Sequence, residues 1–255
     1  MYKDTEIETS YKYLSKVIGK LKEPICMLGG WAVFFTVRDN YQKQTGRVYI
    51  GSRDIDIGFN TVKSYKTATA ILEKELQFKF VSFRFYKNVH VETGKDIAEK
   101  EAKILPRHLI FPMYVDPIMS HFDKKMRAQL GFTPIDEPML KHVFKSKKYR
   151  RLTKEFGKKL LLPTPEVLLS TKLNSVLSRD KDHKRHKDVC DIVALCLFSE
   201  KDINQLVKAS KKLVSKDVLK KFRDADFRSD IAKCSSTLGL EINVVNSVIE
   251  KIKEK

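Results

Sequence analysis

The sequence predicts a mixed α/β domain at residues 1–162, followed by a helical domain at residues 163–255. The first observation is FKFVSFRFYKNVHVE at residues 78–92, which is rich in aromatic and β-branched residues and alternates as strands do. The second is that strand patterns stop after Pro163, and apolar residues then recur three or four positions apart, the spacing of helices. The chain shows no internal repeat or low-complexity linker, so this change of pattern marks the predicted boundary.

The predicted α/β domain alternates helices with short apolar strands. Pro24 ends the first helix, and the two glycines of ICMLGG end the first strand. RVYIGSRDIDIGFN predicts either a hairpin or one long strand, and Pro112 and Pro117 interrupt the last strand. In chain order the predicted elements are a helix at 8–22, a strand and turn at 25–30, a helix from Trp31, the strand segment at 47–60, a helix at 64–76, and strands at 78–92 and 107–119.

The predicted helical domain opens with a strong helix start. Thr164 suits the cap, Pro165 suits the first turn, and Glu166 adds a negative charge at the positive end of the helix. Helical spacing then continues to the end of the chain, around residues 165–178, 186–198, 202–213 and 242–252.

Composition narrows the class of protein. The 255 residues are 42% hydrophobic, which is ample for a packed core. No run of about 18 apolar residues occurs, so no membrane span is expected, and the charged N-terminus lacks an apolar secretory core. Four scattered cysteines without a CxxC pair predict reduced, mostly buried thiols in a cytoplasmic protein.

The strongest bulk signal is the net charge of +18. Such a surplus favours polyanionic partners, either nucleotides or nucleic acids, although a solvated lysine-rich surface would give the same count. Residues 141–159 hold nine Lys and Arg against one Glu. His183 and His186 fall in a second basic run and are expected at the surface. The predicted nucleic-acid-binding residues are Lys147, Lys148, Arg150 and Arg151.

Two acids interrupt an otherwise apolar stretch: Asp54 directly precedes IDIGF, residues 55–59, and Asp56 lies within it. Side chains of a strand alternate between faces, so both carboxylates are expected on one face and Ile55 and Ile57 on the other. Two carboxylates on one face repel each other, and a Mg²⁺ ion bound by hard oxygen ligands removes that conflict. The alternative is an edge strand whose polar face meets water.

Two further features flank the acid pair. Gly29 and Gly30 lie at a strand-to-helix turn, where a triphosphate could approach the backbone and the free N–H groups of the helix. Asp116, in MYVDPI, lies near the end of an apolar strand and could be a third metal ligand. The alternatives are an ordinary turn for the glycines and a turn-initiating Asp-Pro pair for Asp116.

Taken in order, LGGWAVFF, GSRDIDIGF and MYVDPI resemble the nucleotidyltransferase fold of the DNA polymerase β superfamily. The later stretch LPTPEVLLSTKLNSVLSRDKDHKRHKDVCDIVAL resembles the helical part of AbiEii-like nucleotidyltransferases, the toxins of certain type IV toxin–antitoxin systems. There, one helix carries a lysine and the next carries (K/R)-D-x-x-D-(I/L). The matching positions are Lys172, Lys187-Asp188 and Asp191-Ile192.

The resemblance spans about residues 25–200 and departs from the family at Trp31, where many relatives have a small or hydroxyl residue. Residues 93–106 and 200–255 match no motif. The fold that it implies is a nucleotidyltransferase mixed sheet with helices, followed by a helical domain.

The resemblance also implies roles for the residues singled out above. Asp54, Asp56 and Asp116 would hold Mg²⁺, with Asp116 alternatively acting as a base, while Gly29, Gly30 and Ser52 would line the triphosphate of an NTP. Lys172 would offset charge at the phosphates, and Asp188 or Asp191 would orient it or contact the nucleotide. On the residues alone, a plain salt bridge between two helices is the favoured explanation of Lys172 and these aspartates, and only the resemblance reverses that preference.

The expected reaction is transfer of a nucleoside monophosphate from an NTP to an acceptor hydroxyl. The basic surface favours RNA, with tRNA a natural acceptor, and the family adds an antitoxin protein as a partner. Protein or small-molecule acceptors fit the same site. The competing classes are a non-catalytic basic nucleic-acid-binding protein on a degenerate fold and a metal-dependent nuclease.

Overall fold

A computed structural model describes residues 4–254. Within these residues the chain divides into two compact units. The sheet unit comprises residues 4–31 and 51–163, and the helical unit comprises residues 32–50 and 164–254. The sequence places a boundary after residue 162; the two units differ from the predicted domains chiefly in residues 32–50, which group with the C-terminal helices.

The sheet unit contains one mixed sheet of eight strands. Its order is β3-β4-β5-β2-β1-β8-β7, with β6 pairing beside β5. The pairs β2–β5, β1–β8 and β5–β6 are parallel, and the other neighbours are antiparallel. The strands are β1 Ile25–Met27, β2 Ile55–Phe59, β3 Lys79–Val81, β4 Arg84–His90, β5 Ile110–Met119, β6 Ile135–Asp136, β7 Arg150–Glu155 and β8 Lys158–Pro163.

Helices of the sheet unit cover apolar residues that the strands alone cannot bury. Helix α1, for example, buries Tyr13, Leu14, Val17 and Ile18 at helical spacing. The helices are α1 Asp4–Lys20, α2 Gly29–Thr45, α3 Val62–Ala70 with a π-helical turn at Ile71–Glu75, α4 Glu99–Ala102, α5 Lys124–Leu130 and α6 Leu140–Lys145. Helix α2 begins in the sheet unit and continues into the helical unit.

The helical unit contains six further helices. Helix α8 is its most deeply buried element, because residues 186–196 are all buried. All four cysteines of the chain are free and buried, which confirms the prediction of buried thiols. The helices are α7 Pro165–Ser175, α8 Asp182–Phe198, α9 Ile203–Lys211, α10 Lys216–Asp224, α11 Arg228–Leu238 and α12 Ile242–Lys253.

The predicted fold class, a mixed α/β sheet with helices followed by a helical region, is confirmed. Three local features of the structure differ from what the sequence predicts. The strand at 78–92 is a hairpin, because Ser82 adopts a left-handed backbone with φ 59° and turns the chain. Strand β5 continues through Pro112 and Pro117, since β4 and β2 pair with it on both sides. The hairpin β7–β8 was not predicted.

Among residues 4–254, the helices are all too short or too polar to cross a membrane.

Candidate active site

Three adjacent strands place charged residues in one row across the sheet. Asp56 on β2 lies directly beside Asp116 on β5 in the parallel register. On the other side of β5, Phe85 pairs with Val115, so Arg84 at the start of β4 comes next to Asp116. Neighbours across a sheet point to the same face, and the row therefore brings Arg84, Asp116 and Asp56 together.

Arg84 forms a two-pronged contact with Asp116. Its Nε lies 2.9 Å from Oδ1 and its Nη2 lies 2.8 Å from Oδ2 of that carboxylate. The same Nη2 lies 3.4 Å from Oδ2 of Asp54. Burial alone would lower the pKa of Arg84, but the charges of Asp116 and Asp54 outweigh burial and raise that pKa. The guanidinium therefore stays charged and links two of the three predicted acids.

The aromatic ring of Tyr114 supports this arginine. Tyr114 lies two residues before Asp116 on β5, and the guanidinium carbon of Arg84 is 3.8 Å from the centre of its ring. A cation over an aromatic face is attracted by the negative charge of that face. Arg84 is thus held on two sides, by a carboxylate and by a ring.

Asp54 comes immediately before β2, and Asp56 lies within it. Ile55 and Ile57 are fully buried, whereas both acids are partly exposed, so the alternation predicted for this stretch is present. The strand itself is shorter than predicted, because it begins only at Ile55. Ser52 lies in the loop before β2.

The glycine pair adjoins Asp56. Gly29 starts α2 with φ +58°, and a Cβ atom at this position would lie 1.8 Å from Oδ2 of Asp56. Any other residue would displace the carboxylate and strain the backbone, so glycine is required by both conformation and space. Gly30 is the second residue of the helix. The positive end of α2 therefore faces an acid of the row, while a contact of either glycine with a triphosphate stays a prediction.

The predicted metal ligands fit Mg²⁺ in chemistry, because all their donor atoms are carboxylate oxygens. Within residues 4–254, however, no three acidic, histidine or cysteine side chains are arranged closely enough to hold a metal ion. Arg84 supplies the positive charge at Asp116 and Asp54 instead. A metal ion would need Arg84 to release these carboxylates.

The helical unit brings together the other predicted residues. Nζ of Lys172 on α7 lies 2.6 Å from Oδ1 of Asp188 and 2.8 Å from Oδ2 of Asp191, both on α8. All three side chains are buried. Ser175 and Arg179 also donate to Asp188, at 2.9 and 2.6 Å. This arrangement contains the salt bridge between helices that was the alternative for Lys172, and a contact with nucleotide remains untested.

The pKa values of this cluster follow from its pairing. Burial would lower the pKa of Lys172, but Asp188 and Asp191 raise it. Burial would raise the pKa of Asp188, but Lys172 and Arg179 lower it to about 2. Lys172 and Asp188 are therefore both charged at neutral pH.

The sequence analysis named Lys187 as a motif position without assigning it a role, and it missed Tyr49. Lys187 is buried and forms an ion pair with Asp191 one helical turn later, and Tyr49 donates its hydroxyl to Asp191 at 2.7 Å. The spacing of Lys187 and Asp191 could have indicated their pair. Nothing in the local sequence distinguishes Tyr49, since its partner is 142 residues away.

The four predicted nucleic-acid-binding residues differ in their surroundings. Lys147 and Lys148 are exposed on a short 3₁₀ turn. Arg150 and Arg151 begin β7 and are half-buried. Arg150 donates to the carbonyls of Val143 and Phe144, at 3.0 and 2.8 Å, so it holds the end of α6. The two lysines are the members of this group best exposed to a polyanion.

No protein-family model matches the chain, and no curated protein sequence matches it either. Among solved structures, the chain is similar to an antigenic nucleotidyltransferase-like protein from Paracoccidioides brasiliensis. The two share 15% sequence identity with a TM-score of 0.39, over 93% of each chain. A similarity this distant concerns the fold alone, and it identifies neither the AbiEii-like branch nor a chemistry.

Proposed function

We propose that the protein is a Mg²⁺-dependent nucleotidyltransferase, which moves a nucleoside monophosphate from an NTP to an acceptor hydroxyl. The observation that carries the proposal is the row of acids on the sheet. Asp56 on β2 and Asp116 on β5 lie side by side on one face of the sheet, Asp54 comes directly before β2, and Gly29 lets the start of a helix approach Asp56. Packing alone does not require three acidic side chains in and beside two neighbouring strands, because charged groups are costly to bury.

Each group of the site has a task in such a reaction. Bound Mg²⁺ would supply the positive charge that grips the triphosphate and stabilises the transition state at the α-phosphate. Asp54, Asp56 and Asp116 are the residues that would hold it. Alternatively, Asp116 would accept the proton of the attacking hydroxyl, although its bond to Arg84 disfavours that role while the bond lasts.

The acceptor that we propose is RNA, with tRNA as the first candidate. The net charge of +18 exceeds what a small-molecule acceptor requires, and Lys147 and Lys148 are exposed. Action as a toxin countered by an antitoxin protein is part of the same proposal, and it depends on the AbiEii-like motifs of α7 and α8. Protein and small molecules are the other acceptors to compare.

The test is incubation of the purified protein with each of the four α-labelled NTPs, Mg²⁺ and either tRNA, total RNA or no acceptor. We expect label to enter RNA in a Mg²⁺-dependent way with release of pyrophosphate. Label that appears only on protein would move the acceptor to another class. Shortened RNA with no incorporated label would instead establish a nuclease.

The second candidate is a non-catalytic nucleic-acid-binding protein on a degenerate fold. The observation that favours it is Arg84, which already neutralises part of the acid row. This candidate predicts RNA binding without any effect of Mg-NTP on thermal stability. If the protein is an enzyme that binds Mg-NTP, its free energy of unfolding should rise by RT ln(1 + L/Kd), where L is the concentration of free Mg-NTP.

Charge reversal at Lys147 and Lys148 is expected to weaken RNA binding. Removal of one phosphate interaction should reduce the slope of log K against log salt by about 0.7–0.9, so the double variant should show up to twice that reduction. Binding of Mg-NTP should not change. Glutamate at the exposed Lys220 and Lys221 of α10 is the matched control. An unaltered slope in the Lys147 and Lys148 variant would remove this turn from the acceptor site.

A further inference from the structure

Arg84 occupies the position at which the sequence predicts a metal ion. It forms two bonds to Asp116 and approaches Asp54, while Asp56 continues the same row. The guanidinium therefore already contacts two of the three carboxylates that the proposed metal ion would use.

A bare Mg²⁺ ion competes poorly with this arrangement. The ion keeps its water shell tightly, and a two-pronged guanidinium–carboxylate contact is among the strongest hydrogen-bonded pairs in proteins. Tyr114 adds to the hold on Arg84. Releasing the arginine without a new partner would leave its charge half-buried and unpaired, which is costly.

A metal–nucleotide complex changes that balance. Two oxygens of a phosphate group can accept a two-pronged contact from the guanidinium, as the carboxylate that it gives up does. The metal ion can then take Asp116 and Asp54 while Arg84 turns to a phosphate. Arg84 and both carboxylates then each keep a partner of opposite charge, so nucleotide binding makes metal binding favourable.

We infer that Arg84 is a built-in counter-ion that makes divalent-metal binding at Asp54, Asp56 and Asp116 depend on the nucleotide. This inference rests on the proposed function. It assigns Arg84 two partners: Asp116 in the free protein, and a phosphate of the NTP in the complex. Since linkage is reciprocal, the metal should tighten nucleotide binding by the same factor.

The experiment measures Mn²⁺ binding by electron spin resonance, with and without a non-hydrolysable α,β-methylene NTP, in the parent protein and in Arg84→Gln. We expect the analogue to raise the Mn²⁺ affinity of the parent at least tenfold. Arg84→Gln should bind Mn²⁺ at least tenfold more tightly than the parent without nucleotide, and the analogue should then add little. Arg84→Lys, which keeps the charge but loses the two-pronged contact, should lie between them.

Arg53→Gln is the matched control, because Arg53 is an equally charged neighbour of Asp54 that pairs with Glu6. The Mn²⁺ affinity of Arg53→Gln should stay close to that of the parent. A gain equal to that of Arg84→Gln would mean that loss of any nearby positive charge explains the gain, and it would overturn the inference. If Arg84→Gln does not fold, Arg84→Lys replaces it in the same comparison, and its Mn²⁺ affinity without nucleotide should still exceed that of the parent.

The outcomes separate the inference from the function on which it rests. Nucleotide-dependent Mn²⁺ binding in the parent, with no gain in Arg84→Gln, would overturn the inference and leave the proposed function standing. A gain of Mn²⁺ affinity in Arg84→Gln, with no binding of the analogue by either protein, would support competition at Asp116 and overturn the nucleotide substrate.

Discussion

Asp56→Asn is expected to reduce the rate of nucleotidyl transfer by about a hundredfold to a thousandfold, the usual cost of losing one strong charge-stabilising group. The substitution keeps the size of the side chain beside Gly29, where space is tightest. It also relieves repulsion with Asp116 while losing attraction to the start of α2, two effects of similar size and opposite sign. Stability should therefore change little, and paired measurements of melting temperature and turnover check both expectations.

Asp217→Asn is the control for Asp56→Asn. Asp217 is exposed on α10 and forms only a surface pair with Lys221, so its loss should leave turnover and melting temperature unchanged. If Asp56→Asn kept the turnover of the parent, the metal role of the acid row would be wrong. If it lost turnover together with most of its stability, Asp56 would be a structural residue.

The acid row shows how much of the candidate site the sequence predicts. The alternation of Asp54 and Asp56 with buried isoleucines is a local pattern, and it is present. That Asp116 would lie directly beside Asp56 depends on the order of the strands, because residues 60 positions apart meet only through the pairing of β2 and β5. Arg84 could not be predicted, since its role arises from the next pairing along the sheet.

The fold shows the same division between local and long-range causes. Helices α1 and α12 have apolar stripes, and their positions follow from periodicity, whereas α7 and α8 are buried over most of their surface. In the hairpin β7–β8, the lysines and arginines of β7 hide the strand pattern, because an edge strand needs few apolar residues. His186 was expected at the surface and is buried, where it contacts the hydroxyl of Thr237 at 3.0 Å. A charged stretch of sequence thus hides which helix face packs inward.

Lys172→Met is expected to destabilise the protein by about 3–5 kcal/mol, the cost of removing one partner from a buried ion pair. The methionine fills a similar volume, so the loss reports charge rather than a cavity. Without Lys172, Asp188 retains Arg179, and Asp191 retains Lys187 and Tyr49. Those contacts place the loss at the lower end of the range. Chemical denaturation of the parent and the variant measures it.

The pH dependence of stability tests the same ion pair through its other partner, Asp188. The pKa of Asp188 is lowered from 3.8 to about 2 in the folded protein. A lowered pKa of a carboxyl group contributes stability that is present above the unfolded value and is lost as pH falls toward the folded one. The difference in stability between the parent and Asp188→Asn should therefore be constant above about pH 5 and shrink between about pH 4 and 2. A difference that did not depend on pH would exclude the ion pair as its source.

Turnover of the folded protein then decides whether Lys172 also acts on the substrate. Lys208→Met on the exposed face of α9 is the control, and we expect a stability change within about 0.5 kcal/mol. If Lys172 contacts a phosphate, Lys172→Met should lose about a hundredfold in turnover per folded molecule beyond its loss of stability. Arginine should rescue poorly, because its planar fork does not replace a compact ammonium between two carboxylates. Normal turnover per folded molecule would assign Lys172, Asp188 and Asp191 to the stability of the helical unit alone.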